Sequence, residues 1–303
     1  MFYGGMWRKI RIKQELDWAE KSLRKVGVDI GRSVARGLME YALAQPGAIP
    51  VAHSLRYRED EIITPAIRDK FRDAIFRRMR GEATSRIIGW REFWSLPFKL
   101  NAATLDPRPD TESVIEAVIK YLSPHPDYKN RDWRFLDMGT GTGCIIISLL
   151  HEFKNAYGFA CDISDQALAA AAENAAINNV ADRLALFAGN WAASLAMGAA
   201  QKFDVIASNP PYVAEYYRAL LSPEVLHFDP PAALWGGQLG LDAYVEILPQ
   251  IHAMLKPDGF AAFEMGADQS DALAQIVADH GMRVIDVVKD LAGHNRCMVI
   301  RHS

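Results

Sequence analysis

The stretch Phe135-Leu136-Asp137-Met138-Gly139-Thr140-Gly141-Thr142-Gly143, followed by the apolar run from Cys144 to Leu150, constrains the fold more than any other. An apolar run that stops at alternating glycines and resumes as a longer apolar segment reads as strand, tight turn and helix. A strand feeding straight into a helix is half of a crossover unit, and such units build parallel sheets with helices on both faces. The alternation continues, with strands expected near 134–138, 157–161, 184–187, 203–207, 260–264, 283–288 and 296–301 and helices between most of them. The expected fold class is α/β, with a doubly wound, mainly parallel seven-stranded sheet. Ligands of such sheets gather at the carboxyl ends of the strands, near the point where strand order reverses.

Glycines let backbone approach a ligand closely, and a helix N-terminus offers unpaired N–H groups to a carboxylate or other anion. Asp162 ends the next apolar strand, where a carboxylate can take two ribose hydroxyls. A dinucleotide enzyme would share both features. The spacing here is G-x-G-x-G, with Cys144-Ile145 where the last glycine of G-x-G-x-x-G should fall. This favours a nucleoside cofactor without a pyrophosphate, and S-adenosylmethionine fits that description. Asp162 could instead cap the following helix, and Trp191 could be a plain core aromatic.

A second motif, Asn209-Pro210-Pro211-Tyr212, follows the strand-like run Phe203 to Ser208. Two prolines supply no backbone donors and hold the residues before them extended, so the segment forms a stiff shelf with free carbonyl oxygens. With the Asn209 carboxamide oxygen and the Tyr212 ring, it suits a planar nitrogen carrying two N–H donors, either an amide or an exocyclic amine. The plain alternative is a Pro-Pro turn after a strand.

These residues carry a family resemblance. The chain resembles the HemK/PrmC family, the protein-(glutamine-N5) methyltransferases that act on class 1 peptide release factors. The matching stretches run nearly end to end: Arg77-Arg78, Arg86-Ile87-Ile88-Gly89 with Glu92-Phe93-Trp94, Pro107-Arg108-Pro109-Asp110-Thr111-Glu112, the glycine loop, Asp162-Ile163-Ser164, Gly189-Asn190-Trp191, the Asn-Pro-Pro-Tyr shelf, Gly240-Leu241-Asp242, and Asp290-Leu291-Ala292-Gly293-His294. Adenine methyltransferases of DNA and RNA share the shelf, and its combination with Pro-Arg-Pro-Asp-Thr-Glu is more specific. Asn190 stands where the family usually has Asp, Asp106 where an aliphatic residue is usual, and Ala83-Thr84 where proline is preferred. The resemblance implies S-adenosylmethionine as cofactor, contacted by Gly139, Thr140, Gly141, Thr142, Gly143, Asp162, Trp191 and Asn209. It also implies a glutamine pocket of Asn209, Pro210, Pro211 and Tyr212, with class 1 release factors as the protein partner. Gly236-Gly237-Gln238 spells the tripeptide methylated in that substrate, but it occupies the place of the family's own Gly-Gly-x-x-Gly-Leu stretch, so coincidence is the better reading.

The expected chemistry is in-line methyl transfer to an amide nitrogen. Asn209 and the Pro210 carbonyl would accept its two hydrogens, and Tyr212 would wall the planar group. No general base is evident, so the proton is expected to leave after transfer. No metal is expected. Glu264, ending an apolar strand, reads as structural, and His227 and Asp229 carry no assigned role.

Helical patterning covers residues 8 to 45, with Leu16, Ala19, Leu23 and Val26 in one stripe and Val34, Leu38 and Tyr41-Ala42 in another, until Pro46-Gly47 and Pro50 break it. A further stripe of Ile67, Phe71, Ile75 and Met79 follows Pro65. The expected organisation is a helical substrate-docking domain over 1–86, a linking hairpin over 87–106 and a methyltransferase domain over 107–303. Up to Trp90 the chain carries 18 Lys and Arg against 11 acids, and beyond it 16 against 26. Such a split marks either a module that meets an acidic or nucleic-acid-bound partner or an ordinary solvated surface. The acidic second part disfavours direct binding of a nucleic-acid backbone, the shelf notwithstanding. Cys144, Cys161 and Cys297 lie in apolar runs and read as buried free thiols of a reducing compartment. The short basic start is too brief for a signal peptide, and no apolar run approaches membrane-spanning length, so the expected location is the cytoplasm. The stretch Val213 to Trp235 is long for a connection and is expected to order on binding. Readings from other classes are an adenine methyltransferase of nucleic acid, a glutamine methyltransferase of another translation protein, and an inactive cofactor-binding module that serves as a partner.

Overall fold

The computed structural model describes residues 10–45, 47–49, 54–193 and 202–303. The start before Ile10 and the breaking prolines Pro46 and Pro50 lie outside them. The chain divides into two compact units, one ending at Trp90 and the other spanning Arg91–Ser303.

Among the described residues of the first unit, α1 (Ile12–Arg24), α2 (Gly31–Leu43), α3 (Pro65–Met79) and α4 (Thr84–Ile88) accompany a two-residue pairing of β1 (Ile10–Arg11) with β2 (Ile62–Ile63). Leu16, Ala19 and Leu23 recur at three- and four-residue steps on α1 and are fully buried with Ala35, Leu38, Phe71 and Ile75. Thr64 starts α3 by accepting from the Ile67 N–H at 3.3 Å, and Pro65 occupies the first turn, where its missing donor costs nothing. The helical pattern of residues 8 to 45 is split in two by a turn around Gly27, whose φ of +82° is left-handed. Val26 therefore lies in that turn and is 47% exposed, outside the core stripe expected for it. Arg72 clasps the buried Glu15 with two bonds of 2.7 and 2.9 Å.

Strands β3 (Trp90–Phe93) and β4 (Leu96–Lys99) form a two-stranded ribbon. Its turn residues Trp94 and Ser95 both have positive φ, +51° and +57°. The left-handed Trp94 is held by its backbone N–H to Glu112 at 2.9 Å and its indole N–H to Glu152 at 3.0 Å. Glu112, the first residue of the helix Glu112–Leu122, thus serves the ribbon as well as the positive end of that helix.

The second unit is a seven-stranded sheet in the order β10-β11-β9-β8-β5-β6-β7. Its strands are β5 (Arg134–Met138), β6 (Tyr157–Asp162), β7 (Leu184–Ala188), β8 (Phe203–Ser208), β9 (Leu255–Glu264), β10 (Met282–Lys289) and β11 (Asn295–His302). Strands β7, β6, β5, β8 and β9 pair in parallel, and β11 runs antiparallel to both of its neighbours. Residues alternate between two buried faces, as a sheet covered on both sides requires. Phe135, Val205, Ala207 and Ala262 face a core built with α5 (Glu112–Leu122) and α6 (Cys144–Glu152). Leu136, Ile206, Ala261 and Phe263 face the other, built with α9 (Asp242–Met254) and α10 (Ser270–Asp279). Two further helices are α7 (Asp165–Ile177) and α8 (Pro223–Phe228).

All seven expected strands are present. The main difference is β9, which begins at Leu255 rather than near 260. Leu255 pairs with Phe203 and Phe260 with Val205, so Lys256 to Gly259 bulge out between them. Gly259 is required there, because a Cβ would stand 2.8 Å from the Asp204 carbonyl.

Candidate active site

Strand order reverses between β5 and β8, and both chemical motifs emerge there. Met138 and Ser208 are register partners, and the Ser208 hydroxyl donates to the Met138 carbonyl at 2.6 Å. The glycine loop and the Asn-Pro-Pro-Tyr shelf therefore leave the sheet side by side. Between them opens a cavity of about 310 Å³, lined by Gly139 to Thr142, Asp162, Ile163, Asn190, Trp191, Asn209 and Pro211, among others.

Gly139, Gly141 and Gly143 all have positive φ, at +73°, +55° and +81°. At Gly139 the space is also filled: an added Cβ would meet the Trp191 ring at 3.1 Å. Trp191, itself left-handed at φ +52°, is fixed by an indole N–H bond to Glu246 at 2.8 Å. Its ring is a cavity wall, more than a core aromatic. Asp162 accepts from the Gly141 N–H and the Ser164 N–H, each at 2.9 Å, so its carboxylate faces the cavity in one orientation. The helix cap is instead Ser164, which accepts from the Ala167 N–H at 3.2 Å. Beneath the loop the fully buried Asp137 accepts from the Thr140 hydroxyl at 2.7 Å. Burial pushes its carboxyl up to about 7, against the pull of Thr140.

On the shelf, Asn209, Pro211 and Tyr212 are half-buried and Pro210 is buried. The Asn209 amide nitrogen donates to the Thr111 hydroxyl at 3.1 Å, which leaves its Oδ1 as the acceptor end. Among the described residues no hydrogen bond engages the Pro210 carbonyl. The Tyr212 hydroxyl donates to Glu264 at 2.8 Å, and burial together with that carboxylate raises the phenol well above its ordinary value. Tyr212 stays a neutral donor with a fixed ring plane. Glu264 is fully buried, and desolvation raises its carboxyl against the hydrogen-bonding pull of Thr111 and Tyr212.

The surroundings explain motifs whose purpose sequence alone left open. Gly236 and Gly240 pack beneath the shelf, where added Cβ atoms would run into the Pro211 and Tyr212 carbonyls, and Gly237 packs against the Asp242 carboxylate. This accounts for Gly236-Gly237 as a structural stretch. Gln269 donates to the carbonyls of Tyr212, Leu239 and Gly240 at 3.0–3.2 Å and accepts from the Gly266 N–H at 2.8 Å. Asp229 is buried and ion-paired with Arg108 at 2.7 Å, so the Val213 to Trp235 segment is fastened to the Pro-Arg-Pro-Asp-Thr-Glu stretch. Pro230, Ala232 and Ala233 of that segment line the cavity. Arg296 bridges Asp290 at 3.1 Å and Asp110 at 3.4 Å, tying a third motif to the same place. Thr111 and Gln269 escaped sequence reasoning, although Thr111 stands inside the Pro-Arg-Pro-Asp-Thr-Glu motif, and Glu264 reads from sequence as structural only.

The fold and the cavity define an S-adenosylmethionine-dependent methyltransferase of the class I type. The residues present fit that cofactor: left-handed glycines open the floor, a carboxylate stands at the end of β6, and Trp191 and Ile163 supply apolar walls. Residues 14–89 match the PrmC N-terminal domain family, and residues 118–223 match the methyltransferase small domain family. The chain is 39% identical over 288 residues to the release factor glutamine methyltransferase of Rhodospirillum rubrum, covering 94% of this chain and 83% of that one. It is 37% identical to that of Cereibacter sphaeroides, covering 96% and 99%. Among solved structures, the hMettl16 catalytic domain in complex with MAT2A 3'UTR hairpin 6 aligns at a TM-score of 0.54 and 17% identity, over 76% of this chain and 82% of that one, a likeness of fold. The chain belongs to the HemK/PrmC family of release factor glutamine methyltransferases.

Proposed function

We propose that this chain methylates the side-chain amide nitrogen of the glutamine in the Gly-Gly-Gln motif of class 1 release factors, acting in the cytoplasm. One observation carries the reading beyond the family: Asn209 lines the cavity with its amide nitrogen committed to Thr111, so the end left to a ligand accepts rather than donates. S-adenosylmethionine supplies a methyl group activated by sulfonium charge. Gly139 to Gly143, Asp162, Trp191 and Asn209 hold it. Asn209 Oδ1 and the Pro210 carbonyl accept the two hydrogens of the substrate amide, and the fixed Tyr212 ring walls its plane. An amide nitrogen is a poor nucleophile because its lone pair is shared with the carbonyl, so aim matters. Positioning of this kind can lower the barrier by several kcal/mol. The same acceptors stabilise positive charge that develops on nitrogen during transfer.

The shelf does not distinguish an amide from an adenine amine. Choice falls to docking, and the basic excess of the helical unit supports a docking role for it. The acidic second unit disfavours a phosphate backbone, so no sequence-specific nucleic-acid binding is proposed. The test is transfer of labelled methyl to folded release factor, with DNA and RNA alongside. Label on the Gly-Gly-Gln glutamine alone is expected. Replacing that glutamine by glutamate is expected to stop transfer, and label on adenine or on another residue of the release factor overturns the assignment.

A further inference from the structure

Asn209 serves the proposed chemistry only with its oxygen toward the substrate nitrogen. The two ends of a carboxamide have nearly the same shape, so packing cannot choose between them. A hydroxyl partner cannot choose alone either. As acceptor it holds the amide nitrogen, and as donor it holds the oxygen. The choice passes to whatever receives the hydroxyl's own proton.

Here the acceptor that interacts with Thr111 is Glu264. The carboxylate lies at the end of β9, fully buried, and it interacts with Thr111 while accepting from Tyr212 at 2.8 Å. Its Oε2 has no hydrogen bond of ordinary geometry among the described residues, so it is an acceptor in want of a donor. We propose that Glu264 is a positioning residue that acts through Thr111 to hold Asn209 with its oxygen toward the incoming amide. The inference rests on the function proposed above. Where Glu264 carries its charge, against the desolvation that raises its carboxyl, both of its oxygens only accept. Thr111 then donates to it and accepts from Asn209, and Tyr212 donates as well, so that one carboxylate sets the polarity of both ends of the shelf. A glutamine at 264 offers an NH₂ group that can reverse the chain, leaving Asn209 with its own NH₂ against the substrate's.

The test uses the full chain with S-adenosylmethionine and folded release factor, comparing Thr111→Val, Thr111→Ser and Glu264→Gln. Rates, cofactor affinity and melting temperature are measured together. Packing alone ranks valine above serine, because valine keeps the shape of threonine and serine leaves a void. The polarity chain ranks them the other way. We expect Thr111→Val and Glu264→Gln to lower kcat by roughly ten- to a hundredfold with cofactor affinity within about twofold, while Thr111→Ser recovers most of the rate. A valine variant as active as the serine variant, or an unchanged kcat in Glu264→Gln, overturns the inference while the proposed function stands. If Thr111→Val fails to fold, Glu264→Gln decides. A wild-type chain that transfers nothing to release factor overturns the proposed function and this inference with it.

Discussion

At the residue scale, the site depends on buried carboxylates held in unusual states. Asp137 has a folded pKa near 7, against an ordinary value of 3.8, because burial penalises its charge. The folded chain then binds more protons than the unfolded chain between about pH 4 and pH 7. Its contribution to stability is greatest at low pH and falls as pH rises through that window, levelling off above it. Asp137→Asn removes the penalty and keeps an acceptor for Thr140. Thermal unfolding without cofactor should show the variant gaining on wild type by a few kcal/mol between pH 5 and pH 8. A gap that is constant with pH would assign Asp137 another state. None of this was legible in the sequence. The glycine loop announced itself locally, whereas Thr111 meets Asn209 from 98 residues away and Glu264 meets Tyr212 from 52. A buried acid at a strand end looks the same whether it only packs or also orients its neighbours.

At the element scale, legibility followed the physics of burial. Strands covered on both faces must be apolar throughout, so β5, β6 and β8 stood out in the sequence. The start of β9 did not, because Lys256-Pro257-Asp258-Gly259 interrupts the run. The β3–β4 turn was also hidden, since Trp94-Ser95 lacks the Asn-Gly or Asp-Gly signature of a tight hairpin and relies on distant Glu112 and Glu152. The glycines beneath the shelf are the most exacting elements of the site. Gly236→Ala places a methyl 2.5 Å from the Pro211 carbonyl, so backbone must shift. We expect a fall in melting temperature together with a loss of transfer greater than the loss of cofactor affinity, since the shelf moves and the glycine loop does not. Equal losses of both would show that the two motifs yield together.

At the scale of the whole molecule, ion pairs leave the basic excess of the first unit unchanged but decide which of its cations are available to a partner. Arg32 and Arg36 converge on Glu59, Arg72 is spent on Glu15, and Arg77 on Glu82. The exposed lysines Lys13, Lys21 and Lys25, on α1 and at its C-terminal cap, stand outside these pairs. If this unit docks the protein substrate, replacing all three by Glu should raise KM for release factor several-fold and leave kcat at saturation and cofactor affinity unchanged. An unchanged KM across ionic strengths would dismiss a docking role for that face. The site itself was legible as two motifs at strand ends, but their adjacency followed only from the family resemblance, because strand order is a property of the assembled sheet.

That adjacency has a consequence for inhibition. The glycine loop, the shelf and Glu264 leave three neighbouring parallel strands, β5, β8 and β9. Neighbouring strands lie about 4.8 Å apart, a spacing set by backbone hydrogen bonds rather than by side chains. A single molecule joining an adenosine to a glutamine carboxamide through a linker about as long as the group transferred would span both halves of the cavity. It would surrender its rotational and translational freedom once instead of twice, and the sheet would hold both halves of its site in register. Mutations in the flanking loops could weaken such a conjugate only where they also weaken the enzyme's hold on its own two substrates.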